Sequence, residues 1–199
     1  MARRWYALEL LARARAYYDA PDSRLAGEAG RAWRTFFASG AAWMAMALTL
    51  LRHQCPPGLD RSFNILGTIK YGLASGGALL CVAAAWWWEN YWLLLLVPLV
   101  FYAIEARMVF LFPLALDGSP TPFRDANRLT SRAGGTIAVM SVVMPLAGVM
   151  LGGGFLGRGF VRCWCLGCLA VCLWYEDLRL ARANPHPALA QEVSESLPC

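Results

Sequence analysis

Apolar residues in this chain are gathered into long runs, and polar residues into the short segments between them. Neither a period of 2 nor one of 3.6 organises the runs. Most of their length is apolar on every face, the pattern of helices whose solvent is lipid. Five runs stand out: Phe36–Leu51, Phe63–Trp88, Tyr91–Leu116, Gly134–Leu151 and Phe160–Tyr175. About 20 apolar residues cross a bilayer at roughly 1.5 Å of rise each. The 26 residues of Tyr91–Leu116 are ample, whereas the 16 of Phe36–Leu51 are short for a span. The pattern predicts an all-α polytopic membrane bundle of four to five transmembrane helices over residues 36–175. A basic segment, 1–35, precedes it and a polar tail, 176–199, follows.

The polar segments add detail. Trp5–Tyr18 is predicted helical, without a clean apolar face, followed by a break at Pro21-Asp22-Ser23. No cleavable signal peptide is expected, because the first apolar run starts too late and no small-x-small site follows it. Only Glu89-Asn90 separates the second and third runs, so they form a tight hairpin. Trp86, Trp87, Trp88, Tyr91 and Trp92 crowd its turn, as at a headgroup level. Arg52–Arg61 and Asp117–Arg132 read as loops, and Thr130 or Ser131 is expected to cap the fourth helix. Pro98, Pro113 and Pro145 predict kinks. Gly72-x-x-x-Gly76 and Gly148-x-x-x-Gly152 place small residues on one helix face, and internal packing is their expected use.

Composition supports the membrane reading: 58% of residues are hydrophobic and 16% charged, against about 25% charged in soluble domains. The net charge is +5, and Lys70 is the only lysine. The arginines are divided among short segments with no continuous basic face, which argues for membrane orientation and against nucleic-acid binding. Five full spans would put the three-arginine segment 117–133 opposite the N-terminus; a re-entrant Phe36–Leu51 would put them together. The N-terminus is cytoplasmic in both readings, and a bacterial inner membrane is the expected location. The bilayer is the expected partner, with other membrane subunits as further candidates.

Three groups of residues could carry chemistry. Lys70, Glu105 and Arg107 lie inside apolar runs, where a charge costs roughly 2.5–3.5 kcal/mol on insertion scales. Glu105 and Arg107 are two apart, about 200° around a helix, so they do not pair. Lys70 is the natural partner for Glu105, and Asp117 a candidate for Arg107. Cys163, Cys165, Cys168 and Cys172 lie within ten residues, and Cys165-Leu-Gly-Cys168 is a CxxC able in principle to exchange disulfides. Small bundles of the vitamin K epoxide reductase type set such a pair at a helix end beside a quinone. They also use a cysteine pair in an outer loop, where this chain has Cys55 alone, so that family is not assigned. Finally, Asp117, Arg124, Asp125, Arg128 and Arg132 could hold a lipid headgroup.

Histidine is informative. His53 and His186 both lie outside the apolar runs, so no haem or di-metal core, no metal site and no cofactor are expected. The expected function is that of a non-catalytic accessory, assembly or scaffold component of a membrane complex. A small carrier or channel using Glu105, Lys70 and Arg107 is the first alternative. An enzyme on lipid or quinone, through Cys165 and Cys168 or the 117–132 segment, is the second.

Overall fold

The computed structural model describes residues 3–20, 25, 39–52, 62–157 and 159–183, and among these there are helices and no strands. In chain order they are α1 (Arg3–Tyr18), α2 (Ser39–Arg52), α3 (Ser62–Trp87), a 3-10 turn (Tyr91–Leu95), α4 (Leu96–Arg107), α5 (Leu111–Leu116), α6 (Pro122–Arg132), α7 (Gly135–Phe155) and α8 (Phe160–Ala183). Three segments are long and apolar enough to cross a membrane: Ile65–Trp87, Tyr91–Leu116 and Gly135–Phe155. They point to an integral membrane protein. Of the other two expected spans, α2 has only 14 residues, and α8 mixes Arg162, Glu176, Asp177 and Arg179 into its length.

Helix α8 is the axis of the bundle. From Cys163 to Tyr175 none of its residues is exposed. It runs antiparallel to α7, which approaches closely through Gly153 opposite Cys163 and Gly167 opposite Met150. Helix α2 lies parallel to α8: the Trp43 indole donates to the Cys165 carbonyl at 3.2 Å, and Arg52 reaches Glu176. Residues 39–52 therefore form one continuous helix along α8.

Helix α1 is the larger surprise. It runs antiparallel to α8, from Tyr6, whose hydroxyl donates to Asp177 at 2.9 Å, to Asp19, which pairs with Arg162 at 2.7 Å. Arg13 joins Asp177 at 2.7 Å. Ala7, Leu10 and Ala14 are fully buried, so this predicted helix packs against the bundle. This extra helix brings the start of α1 to the end of the bundle that also carries Arg52 and Asp117.

The hairpin of α3 and α4 forms as expected around Glu89, whose positive φ of 50° makes the turn, and Asn90, whose side chain accepts from the Trp92 amide. The third apolar run is not one straight helix. Pro98 stands in the first turn of α4, where its missing N–H is harmless. Pro113 removes the bond to the Val109 carbonyl and crowds it, and the helix opens over 108–110. Pro145, by contrast, is carried within a continuous α7. The segment expected as a polar loop contains the amphipathic helix α6. Neither Thr130 nor Ser131 caps α7, which begins at Gly134 in a left-handed conformation. Thr130 instead donates to the Ala106 carbonyl at 3.1 Å, and Ser131 to Asn127.

Candidate functional site

Helices α3 and α4 are apolar over most of their length, so the two long polar side chains on their facing surfaces meet. Lys70 Nζ and Glu105 Oε1 lie 2.6 Å apart, with side chains 3% and 15% exposed. Close packing makes this possible: Gly77 of α3 has no side chain to collide with Val100 and Ile104 of α4. The opening at 108–110 matters too. It turns α5 back across α3, setting Phe112 beside Gly67 and its ring 5.1 Å from the Lys70 ammonium, a favourable cation–π arrangement.

One oxygen of this pair is left over. Glu105 Oε2 is buried and accepts no hydrogen bond. The pair forms part of the wall of a cavity of about 270 Å³ between the hairpin and the α7–α8 layer. The rest of the wall is mostly apolar, with Phe101, Val143, Leu146, Ala147, Met150 and Trp164; Tyr71, Tyr102 and Cys168 add polar atoms. An apolar chamber with one ion pair in its wall suits a mostly apolar molecule bearing a hydrogen-bond donor. Glu105 Oε2 itself is covered, and a turn of the carboxylate would bring it to the chamber.

Arg107, the third charge of the expected group, is elsewhere. It is exposed and its Nε donates to Thr136 Oγ1 at 3.3 Å. Its expected partner Asp117 is held by Arg52 at 2.5 and 3.1 Å and accepts from the Tyr175 hydroxyl at 2.6 Å. Burial alone would push the Asp117 carboxyl up, but the hydrogen bonds from Arg52 and Tyr175 outweigh it and hold it below the usual carboxylate range.

Cys165 and Cys168 are both free and buried. Cys168 borders the Lys70–Glu105 cavity, whereas Cys165 is buried on the α2 side, its carbonyl accepting from Trp43. Cys163 faces Gly153 of α7, and the Cys172 thiol points at the Met44 carbonyl. The four thiols thus serve different packing contacts.

The remaining candidates gather at one end of the bundle. Asp117, Asp125, Arg128 and Arg132 line a second cavity of about 430 Å³ with Tyr175 and Arg179, and Arg124 is exposed outside its lining. Asp125 accepts from Ser119 at 2.6 Å and Thr121 at 3.2 Å. The Ser119 bond foremost, aided by Thr121 and the nearby Arg128 and Arg124, holds its carboxyl below the usual range. Sequence reasoning missed Arg52, Tyr175, Glu176 and Arg179. A signal existed: Arg52, Asp117 and Glu176 are each the first charge after an apolar run.

Among the described residues no group of three His, Cys, Asp or Glu is placed to hold a metal ion. His53, Cys55 and His186 lie outside the described residues. Comparison of the chain with known protein families, characterised proteins and solved structures finds no match.

Proposed function

We propose that this small multi-pass membrane protein holds an amphipathic, membrane-soluble molecule at the Lys70–Glu105 cavity, acting as a carrier or receptor for it. The observation that carries the reading is the unpaired Glu105 Oε2. A buried acceptor without a donor costs about 1–3 kcal/mol, and more when charged. A hydroxyl or amide donated by a bound molecule would remove that cost, while its apolar part lies along Leu146 and Met150. The chamber is just below the roughly 300–1,000 Å³ common for small-molecule sites. It therefore suits a head and the first part of a chain, with the remainder leaving toward lipid.

The proposed setting is a bacterial cytoplasmic membrane, with the end carrying Arg52, α6 and the start of α1 on the cytoplasmic side. Its arginines support that orientation. The test is native mass spectrometry of the full chain in mild detergent, together with labelling in vesicles by a photoactivatable long-chain alcohol. A retained amphipathic molecule, and labels on cavity residues such as Tyr102, are expected. Ala147→Phe, which fills the chamber without touching the pair, should abolish both. A wild-type protein that retains and captures nothing would refute the reading.

A second reading, an accessory component of a membrane complex, draws on a different observation. A side chain added at Gly72 or Gly76 would meet nothing, so this small-residue stripe, expected to pack internally, is open. Purification with a stoichiometric membrane subunit, lost in Gly72→Leu/Gly76→Leu, would favour this alternative.

A further inference from the structure

We infer that the cleft between α6 and the last turns of α8 binds a phosphate-bearing anion, independently of the Lys70–Glu105 cavity. It is the roughly 430 Å³ cavity at the Arg52–Asp117 end of the bundle.

Its acidic groups are largely committed, whereas two of its arginines, Arg128 and Arg132, make no hydrogen bond among the described residues. Asp117 is held on both oxygens by Arg52, with Tyr175 added on one. Asp125 has one oxygen taken by Ser119 and Thr121 and the other facing Arg128. Arg179 is shared with Glu176 at 2.8 Å. Arg128 reaches only Asp125, at 3.7 Å, which is beyond hydrogen-bond distance. Arg132 makes no ion pair or hydrogen bond among the described residues.

Arg128 and Arg132 are four residues apart on α6 and so share a face, where like charges repel. An anion between them converts that repulsion into two charge-assisted contacts. The planar guanidinium fork matches phosphate oxygens two at a time. A basic residue in a helix's last turn is ordinarily explained by the helix dipole. That accounts for Arg132 but not for Arg128, a turn earlier. The platform is firm: Thr130 is buried and bonded to Ala106, and Asp125 is tied to Ser119 ahead of the helix. Leu114, Leu129 and Leu178 supply an apolar wall. The same chemistry would recognise a lipid headgroup or a free phosphate compound.

The experiment uses the full chain, purified in neutral detergent and in nanodiscs. Binding of inorganic phosphate is measured by calorimetry, and retention of phosphatidylglycerol against phosphatidylcholine by native mass spectrometry. Arg128→Gln/Arg132→Gln should weaken binding at least tenfold, and Arg15→Gln, at the opposite end of the bundle, should leave it unchanged. Competition by inorganic phosphate would identify a free phosphate compound as the source. Selective phosphatidylglycerol retention without phosphate binding would identify a headgroup. If the double variant fails to fold, Arg132→Gln alone carries the test, since its side chain holds nothing else in place. Equal weakening by Arg15→Gln would reduce the effect to general surface charge and overturn the site. So would a wild-type protein that binds no phosphate and shows no preference between the two lipids.

Discussion

Helices α3 and α8 are close in length, 26 and 24 residues, and stand in opposite relations to their surroundings. Only 17% of the apolar stretch of α3 is buried. Ile65, Leu73, Leu79 and Leu80 point away from the protein. Helix α8 carries more charge and is enclosed from Cys163 to Tyr175. Where lipid is available, a long apolar run measures contact with lipid and not closeness to the core. The enclosed helix can hold charges at its ends, because Arg13, Asp19 and Arg52 on its neighbours meet them. Helix α3 has one charge facing inward and answers it with one partner.

That contrast can be broken most forcefully at the α3–α4 pair. Lys70→Met should destabilise the protein by about 3–5 kcal/mol, because it leaves the Glu105 carboxylate buried and unpaired. Lys70→Met/Glu105→Leu should recover most of the loss. Reversible unfolding in detergent mixtures measures both; a double variant no better than the single would show that the hairpin depends on more than the pair.

A second prediction, smaller, lies on the α8 side. In Gly153→Ala the new methyl group would run into Cys163, a cost of about 1–3 kcal/mol from overpacking. The same unfolding measurement applies.

The third prediction concerns the network at the end of α8. Asp117 has a folded pKa below its unfolded value near 3.8. Its pairing with Arg52 and Tyr175 therefore contributes fully above that value, and the contribution is lost as pH falls through the folded pKa. Asp117→Asn should cost about 1 kcal/mol at pH 7 and flatten the acid limb of the stability curve below about pH 4. An unchanged acid limb would place the acid sensitivity in other carboxylates.

The smallest effect is expected where the protein touches nothing. Gly76→Ala should be neutral or stabilising by up to about 1 kcal/mol, through helix propensity alone, opposite in sign to Gly153→Ala. A loss of stability there would reveal a packing partner on that face.

Much of the lipid-facing half was legible in the sequence. The second run matches α3 within a residue at each end. The Lys70–Glu105 pair followed from there being so few charges at that depth. The half around α8 was not legible, for physical reasons. Its contacts join residues far apart in sequence and come from many elements, and small residues such as Ala7 and Ala14 or buried thiols leave no strong hydropathy signal. The spacing Ala7, Leu10, Ala14, Tyr18 did form a helical stripe, hidden because half of it is alanine. Arg107 stands apart from the pair because it lies about 200° around α4 from Glu105, and it misses Asp117 because the opening over 108–110 redirects the chain between them. The responsible residue, Pro113, was visible, but not the direction in which the chain would turn.

The enclosed position of α8 has a consequence for biosynthesis. The Tyr6–Asp177 bond joins residues 171 apart. At about 5–20 residues per second, translation takes roughly 10–30 s to deliver Asp177 after Tyr6 has emerged. Until then the first helix has only part of its packing surface, the face of α7, and lacks α8. The α3–α4 hairpin needs no such delay, because lipid covers most of it as soon as it inserts. The nascent protein is thus a stable hairpin accompanied by waiting helices. A premature stop before α8 would leave an inserted chain without its organising centre, a natural substrate for membrane quality control.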